Sequence, residues 1–499
     1  MEYIVCYDIG TSSIKCGLFD SNLKCLSITG CNYEVKMAYE GTAEAEPKVY
    51  IEGIARCTKE AIANAGIDAT KVRSVCATTQ GETLIPIDEN GKELYKAIVW
   101  LDGRAEEEAA ELKKALPDDL FKQKTGLPGV DGFTPLAKLL HVKRKMTDVY
   151  ENTHKFLLLE DYITYCLTGE IVSEKSLLSS TGYFDLTTDD LWYEALDKAE
   201  IPYDKIPKVV EPGVKIGNLT KEAADMLGLT EETMVYAGAM DQLAGAIGCA
   251  NYEIGNAHET TGTAMIVATT MGLEDAMARD HELTVYRHVE KDKFLLLAIS
   301  RTATTVLKWF SEQFYSERDR DNIYEYLSEV VESGKVGANG LIMLPYLEGM
   351  MGGAGADAVK GTFWNIGLHN TREDFVRAIF EGVSYMLKDN LTVMFDKEDG
   401  QGELVSIGGA SKSDIWCQIK ADVTGREIVT MSQVESALFG CACIAAVGGG
   451  LYATLGDAIH TQGEGKRYIP NPENVESYKT EYQKYNLMRK NLEQLYREL

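Results

Sequence analysis

The feature that most constrains this chain is a strand–turn–strand unit that occurs twice, about half a chain apart. In the first copy, Tyr3-Ile4-Val5-Cys6-Tyr7 is an apolar, β-branched strand pattern that ends on the carboxylate of Asp8. The turn Gly10-Thr11-Ser12-Ser13 follows, and then Ile14, Cys16 and Leu18 alternate with Lys15, Gly17 and Phe19 as a second strand. The second copy reads Glu259-Thr260-Thr261-Gly262-Thr263-Ala264, again leading into an apolar strand, Met265 to Ala268. A glycine lets a ligand approach the backbone closely, and successive N–H and hydroxyl groups suit phosphate oxygens. In the first turn Lys15 adds a cation and Asp8 is placed to hold a divalent metal, directly or through water. A plain polar hairpin explains either stretch equally well by itself. Two copies at this separation point to a duplicated fold with one such loop per lobe, divided near residues 245–256.

The pattern between the two units is that of an α/β protein. Residues 1–35 read as a three-stranded meander, 47–65 as a helix stopped by Gly66, and Val72 to Ala77 as a buried strand. That strand exits into Thr78-Thr79-Gln80-Gly81-Glu82, and residues 84–100 read as a hairpin about Asp88 to Gly91. Residues 105–200 read as mainly helical, with Glu106 to Glu108 as a solvated face. Met234 to Gly238 is a strand that delivers Asp241-Gln242 to the start of a small-residue helix. In the second half, Gly349 to Gly355 is a loop and 373–391 a long helix. Leu404 to Ile407 is a strand followed by Gly408-Gly409-Ala410-Ser411-Lys412-Ser413, a turn where a nucleoside can lie against backbone. The tail from Asn471 reads as a solvated amphipathic helix. In such a layout ligands gather beyond the carboxyl ends of the strands.

A formal net charge of −27 argues against nucleic acid or an anionic membrane surface as partner. The most apolar late stretch, 437–451, is short and rich in Gly, Ala and Cys, as a buried helix would be. The amino terminus enters a strand at once, without a basic segment followed by an apolar one, so no secretory signal is expected. Eleven cysteines are scattered through apolar segments, and Cys441-Ala442-Cys443 is too tightly spaced for zinc. The expectation is a reduced, cytoplasmic protein without a structural metal.

The order of the motifs is more telling than any one of them. Asp8-x-Gly-Thr-Ser, Asp241-Gln242, Thr261-Gly262-Thr263 and Gly408-Gly409-Ala410-Ser411 resemble the FGGY family of carbohydrate kinases. So do Ala97 to Arg104, Asp161-Tyr162 with Leu167-Thr168-Gly169, and Ala421 to Gly425. The resemblance implies two actin-like (ribonuclease H-like) lobes with a central ligand cleft, residues 1–248 and 249–499, with ATP and Mg2+ against the second lobe and sugar against the first. It implies that Asp8, Gly10, Thr11, Ser12 and Lys15 face phosphates and metal, that Gly262 and Thr263 form the second phosphate loop, and that Gly409, Ala410 and Ser413 line the adenosine site. It assigns Asp241 as general base, at a helix start that should favour its ionised form, and makes a homodimer possible. Asp241 also reads as a helix cap, Lys15 as a surface lysine and Ser413 as an N-cap. Trp309 and Trp416 read as core rather than adenine platforms.

The acceptor is less plainly written. Gln80-Gly81-Glu82-Thr83 matches glycerol kinases at Glu82 and Thr83 but has Gly81 where they carry Arg, which removes a bidentate donor and should leave more room. Gly132-Phe133-Thr134 with Lys138 looks closer to the xylulokinase group. Gln80, Glu82, Asp102, Phe133, Asp241 and Gln242 are the expected substrate residues. Glu82 accepts hydroxyl protons, and Phe133 reads either as a carbon-face platform or as core. The expected reaction is ATP-dependent phosphorylation of a ketopentose such as xylulose. A small-polyol kinase and a non-enzymatic ATP-switched module are the alternatives.

Overall fold

The computed structural model describes residues 2–37, 41–317, 322–350, 358–395, 402–432 and 435–498. Most of the Gly349 to Gly355 loop lies outside them. The first half builds a sheet from β1 (Tyr3–Ile9), β2 (Ser13–Asp20), β3 (Cys25–Asn32), β4 (Val72–Thr79), β5 (Lys215–Asn218) and β6 (Met234–Met240), in the order β5-β6-β4-β1-β2-β3. β1, β2 and β3 are antiparallel neighbours, whereas β4 and β6 add in parallel. The parallel strands are buried along nearly their whole length, which is why they read as apolar runs. Helix α1 (Lys48–Ala65) covers one face and stops at Gly66, whose φ of 62° is the left-handed conformation of a helix C-cap.

The second half repeats the plan. Its sheet runs β9 (Thr284–Arg287), β10 (Phe294–Ser300), β8 (Met265–Met271), β7 (Ala257–Thr261), β11 (Glu403–Ile407), β12 (Glu427–Met431), β13 (Glu464–Tyr468). β7, β8 and β10 form the antiparallel meander, and β11 and β12 add in parallel. Both sheets thus share a meander followed by two parallel strands, and the fold is the expected α/β pair of actin-like lobes.

Two helices join the halves. α2 (Asp241–Gly248) leaves β6, and α5 (Ser436–Gly448) lies across it. They touch backbone to backbone: a Cβ on Gly440 would sit 1.9 Å from the Ala244 carbonyl oxygen, and one on Gly248 1.9 Å from that of Ser436. α5 is the apolar stretch of 437–451. It packs on β1, β4 and β6, so a helix of the second half forms part of the core of the first.

Three expectations are corrected. Glu108 is not on a solvated face; it is buried and pairs with His141 Nδ1 at 3.0 Å. The tail helix α6 (Pro472–Glu498) is not merely solvated, since Tyr478 and Tyr485 are buried against α3 (Arg372–Phe395). Trp309 is exposed rather than core, whereas Trp416 is buried and stacks on Phe380 at 4.2 Å.

Candidate active site

The two hydroxyl-rich turns sit at equivalent places in the two sheets. In the first, Asp8 pairs in register with Lys15 across β1 and β2, so both side chains leave the same face. Gly10 N–H closes the turn on Ser13 O at 3.0 Å, and Thr11 Oγ1 accepts the Trp100 indole N–H at 2.9 Å. Lys15 does not stand free: its Nζ bonds Glu435 Oε2 at 2.6 Å, just before α5. In the second turn, Gly262 O accepts both N–H and hydroxyl of Thr304, at 2.8 and 2.7 Å, and Thr263 O accepts the Thr305 hydroxyl at 2.8 Å. Behind it lies an ion pair with both partners fully buried, Lys420 Nζ to Glu259 Oε1 at 2.6 Å. Ser406 and Thr261 donate to the same carboxylate. Such a pair is costly to break and holds the turn against α4 (Asp414–Thr424).

Asp241 is the first residue of α2, at the end of β6. Burial, and secondly the carboxylate of Asp8, push its pKa up to about 7, while Gln242 holds it down through its N–H and its amide. The helix terminus was expected to keep it ionised; burial and a like charge outweigh that. Asp8 is itself raised, by burial first, with Lys15 opposing and Glu435 reinforcing.

The Gln80–Thr83 loop follows β4. Gln80 is buried and donates to Tyr33 Oη at 3.3 Å, leaving its Oε1 buried without a partner. Glu82 has φ of 67°, an uncommon conformation for a residue with a side chain and of the kind that collects at functional sites. Burial raises its carboxyl to about 7, Lys138 opposes, and Asp131 and Asp241 reinforce. Gly81 does not leave room: a Cβ there would lie 3.1 Å from Ser180 Oγ and 3.2 Å from Met240 Sδ. Asp102 is also corrected. It is buried, and its oxygens accept from Ala43 N–H at 2.6 Å and from Arg104 at 2.7 to 3.1 Å, so it fixes that loop and presents nothing to a ligand. Phe133 is 41% exposed, with its ring over Gly103, and is not core.

Gly409, Ala410 and Ser413 line one cavity of about 990 Å3 together with Thr304, Tyr324, Ser328 and Trp416. Ser413 is an N-cap as well, since its Oγ accepts the Trp416 N–H at 3.4 Å and shares a hydrogen bond with Ser328 Oγ at 2.9 Å. Gly408 brings this turn to the second phosphate-type loop; a Cβ there would be 3.0 Å from Thr261 O.

The structure adds Asp131, Tyr286 and Glu435 to the residues read from the sequence, and gives Lys138, noted there beside Phe133, a place in the site. Lys138, fully buried, donates to the carbonyls of Val99 and Trp100 at 3.1 and 3.2 Å, and burial pushes its pKa down to about 8. Asp131 and Tyr286 face Glu82, and Glu435 holds Lys15. Asp131 and Lys138 flank the Phe133 motif, whereas Tyr286 and Glu435 meet the site from distant segments, so spacing along the chain carries no signal for those two.

Comparison with known proteins identifies the family. Residues 3–248 match the N-terminal domain, and 258–449 the C-terminal domain, of the FGGY family of carbohydrate kinases. The chain is similar to the xylulose kinase of Bacillus subtilis, 28% identical over 97% of this chain and 96% of that protein. It is also similar to the gluconokinase of that bacterium, 27% identical over 96% and 94%. A crystal structure of xylulose kinase from Lactobacillus acidophilus superposes with a TM-score of 0.88, at 24% identity, over 99% of this chain and 98% of that one. A two-lobed fold matched along both halves, with paired phosphate-type turns, places the chain in the FGGY family of carbohydrate kinases.

Proposed function

We propose that this ATP-dependent carbohydrate kinase phosphorylates a neutral ketopentose such as xylulose, with Asp241 as general base. The observation that carries the reading is the charge of the acceptor side. Glu82, Asp131 and Asp241 face one another there, and Lys138 is the cation beside them, already bonded to two backbone carbonyls. Carboxylates accept hydroxyl protons readily and repel an anion, so a neutral polyhydroxylated sugar is favoured over a sugar acid. The similarity to xylulose kinases supports the same choice. The crowding of Gly81 by Ser180 and Met240, with no arginine there, speaks against a glycerol-type acceptor. Family membership favours an enzyme over a non-enzymatic ATP-switched module.

The division of labour follows the two lobes, residues 1–248 and 249–499. Gln80, Glu82, Phe133 and Gln242 hold the sugar, and Gly10, Thr11 and Ser12 meet the phosphates from the first side. Gly262 and Thr263 meet them from the second, and Gly409, Ala410 and Ser413 cradle the adenosine. Asp241 orients the acceptor hydroxyl toward the γ-phosphate and accepts its proton; a carboxyl titrating near 7 is matched to that task. Among the described residues no three His, Cys, Asp or Glu side chains cluster to hold a bare metal ion. The repelling carboxylates of Asp8 and Asp241 suit an ion that arrives with the nucleotide, Asp8 being its protein ligand. Mg2+ there would neutralise phosphate charge.

A panel of pentuloses, hexuloses, polyols and gluconate, read by coupled ADP release, tests the reading. Xylulose or another pentulose should give the highest kcat/KM and gluconate none above background. A preference for gluconate would overturn it.

A further inference from the structure

β9 is the edge strand of the second-half sheet, paired on one side with β10 in the register Tyr286 to Leu295. Its other edge is bound by the first half. Val285 N–H donates to Gly126 O at 2.9 Å, and Arg287 N–H donates to Ser179 Oγ at 3.1 Å. The Arg287 side chain, 2% exposed, reaches Glu211 at 2.7 Å and Asp189 at 3.1 Å, and Lys175 closes the cluster at 2.5 Å from Glu211 and 2.7 Å from Asp189. Ser180, next to the residue that Arg287 grips, sits against Gly81 of the substrate loop. The strand is therefore fixed to the acceptor side of the cleft. Val285 and Arg287 are buried against the first half, and strand alternation turns Tyr286, between them, the opposite way. Glu82, Asp241 and Asp131 are the carboxylates close enough to act on it by charge.

Tyr286 is half-buried, and its hydroxyl makes no hydrogen bond among the described residues. Burial, and then these carboxylates, hold the phenol well above its usual pKa, so it stays a donor. Neighbouring donors are partly engaged: one N–H of the Gln80 amide on Tyr33, the Gln242 amide on Asp241, and the Trp100 indole on Thr11. The carbonyl oxygen of an open-chain ketose accepts hydrogen bonds and never donates, so ionised carboxylates cannot serve it.

We propose that Tyr286, delivered across the cleft by the edge strand of the second lobe, donates to the carbonyl oxygen of the sugar and so selects a ketose over its alditol. This rests on the ketose reading of the same site. The test compares wild type with Tyr286→Phe, using xylulose as substrate and xylitol, which has a hydroxyl in place of the carbonyl, as a competing ligand. The KM for xylulose should rise about tenfold, with kcat, the KM for ATP and the Ki of xylitol within about twofold of wild type. The unchanged ATP KM also reports an intact fold. An unchanged xylulose KM, or equal losses for xylulose and xylitol, would overturn the inference while leaving the ketose reading standing. A wild-type enzyme inactive on every ketose would overturn both.

Discussion

At the scale of single residues the decisive feature is a carboxylate placed where ionisation is costly. Burial and Asp8 hold Asp241 near 7, about three units above an ordinary aspartate. Two consequences have opposite signs. With Asp241 as the proposed base the ionised form is the active one, so kcat/KM should rise with pH through about 7 and level off above it; Glu82 titrates in the same range, so the apparent value belongs to the group of carboxylates. The folded state, in contrast, favours the protonated form. That stabilisation is full below the unfolded pKa near 4 and disappears as pH rises through 7. Asp241→Asn should therefore lower kcat by about 10²–10⁴-fold while ATP still binds. It should also raise the melting temperature at pH 8 and leave it unchanged near pH 4. Thermal melts at the two pH values, beside rates and nucleotide titration, check this. A variant less stable at pH 8 would mean that the carboxylate is satisfied in the fold and is not the strained base. Asp241 itself was legible in the sequence, because a strand ending in Asp-Gln before a small-residue helix occupies a fixed place in the motif order. Its raised pKa was not, because the burial that chiefly raises it, and then the approach of Asp8 from another strand, arise only when β1, β4 and β6 assemble side by side.

At the scale of elements, local patterns foretold what the chain forms but not what each piece packs against. The paired turns, α1 with its Gly66 cap and the strand before Gly408 were visible because turn glycines and β-branched runs act over a few residues. The apolar all-round pattern of 437–451 showed that α5 is buried; it could not show that α5 lies under the sheet of the other half. Nor could it show that Gly248 and Gly440 are the contact points. Likewise Glu108 read as solvated because its partner His141 belongs to another helix. The crossing of α2 and α5 gives a sharp test. With 1.9 Å between a Cβ on Gly440 and the Ala244 carbonyl, Gly440→Ala must drive the helices apart. Overpacking of this kind costs about 3 kcal/mol. Because α2 begins with Asp241, the displacement should also appear as lost kcat. Gly450→Ala is the control, for nothing lies within 4 Å of a Cβ there, although its φ of 73° adds a modest strain of its own. A Gly440→Ala enzyme melting with or above Gly450→Ala would refute the close crossing.

At the scale of the whole molecule, a chain of formal charge −27 must bind a polyanionic nucleotide. Among the described residues no helix is long and apolar enough to cross a membrane. The lobes are joined on one side by the Arg287 cluster and through the middle by α5, and Lys15–Glu435 spans the first phosphate-type turn. The last link has no buried end, its side chains being 37% and 29% accessible whereas Arg287 is 2% accessible, so it is weak enough to exchange. On the proposed site, phosphate oxygens entering beside Asp8 would compete with Glu435 for the Lys15 ammonium, and Glu435 would repel them as a like charge. Glu435→Gln should therefore tighten ATP binding by about fivefold, close to 1 kcal/mol, with the difference shrinking as salt is raised. Lys15→Ala should weaken it by a comparable factor, and the double variant should resemble Lys15→Ala more than the sum of the two changes. Calorimetric titration of ATP at low and high ionic strength measures all three. Weaker binding by Glu435→Gln would reverse the assignment: the ion pair would then shape the turn for the nucleotide, and the lysine would serve ATP through its geometry rather than by leaving Glu435.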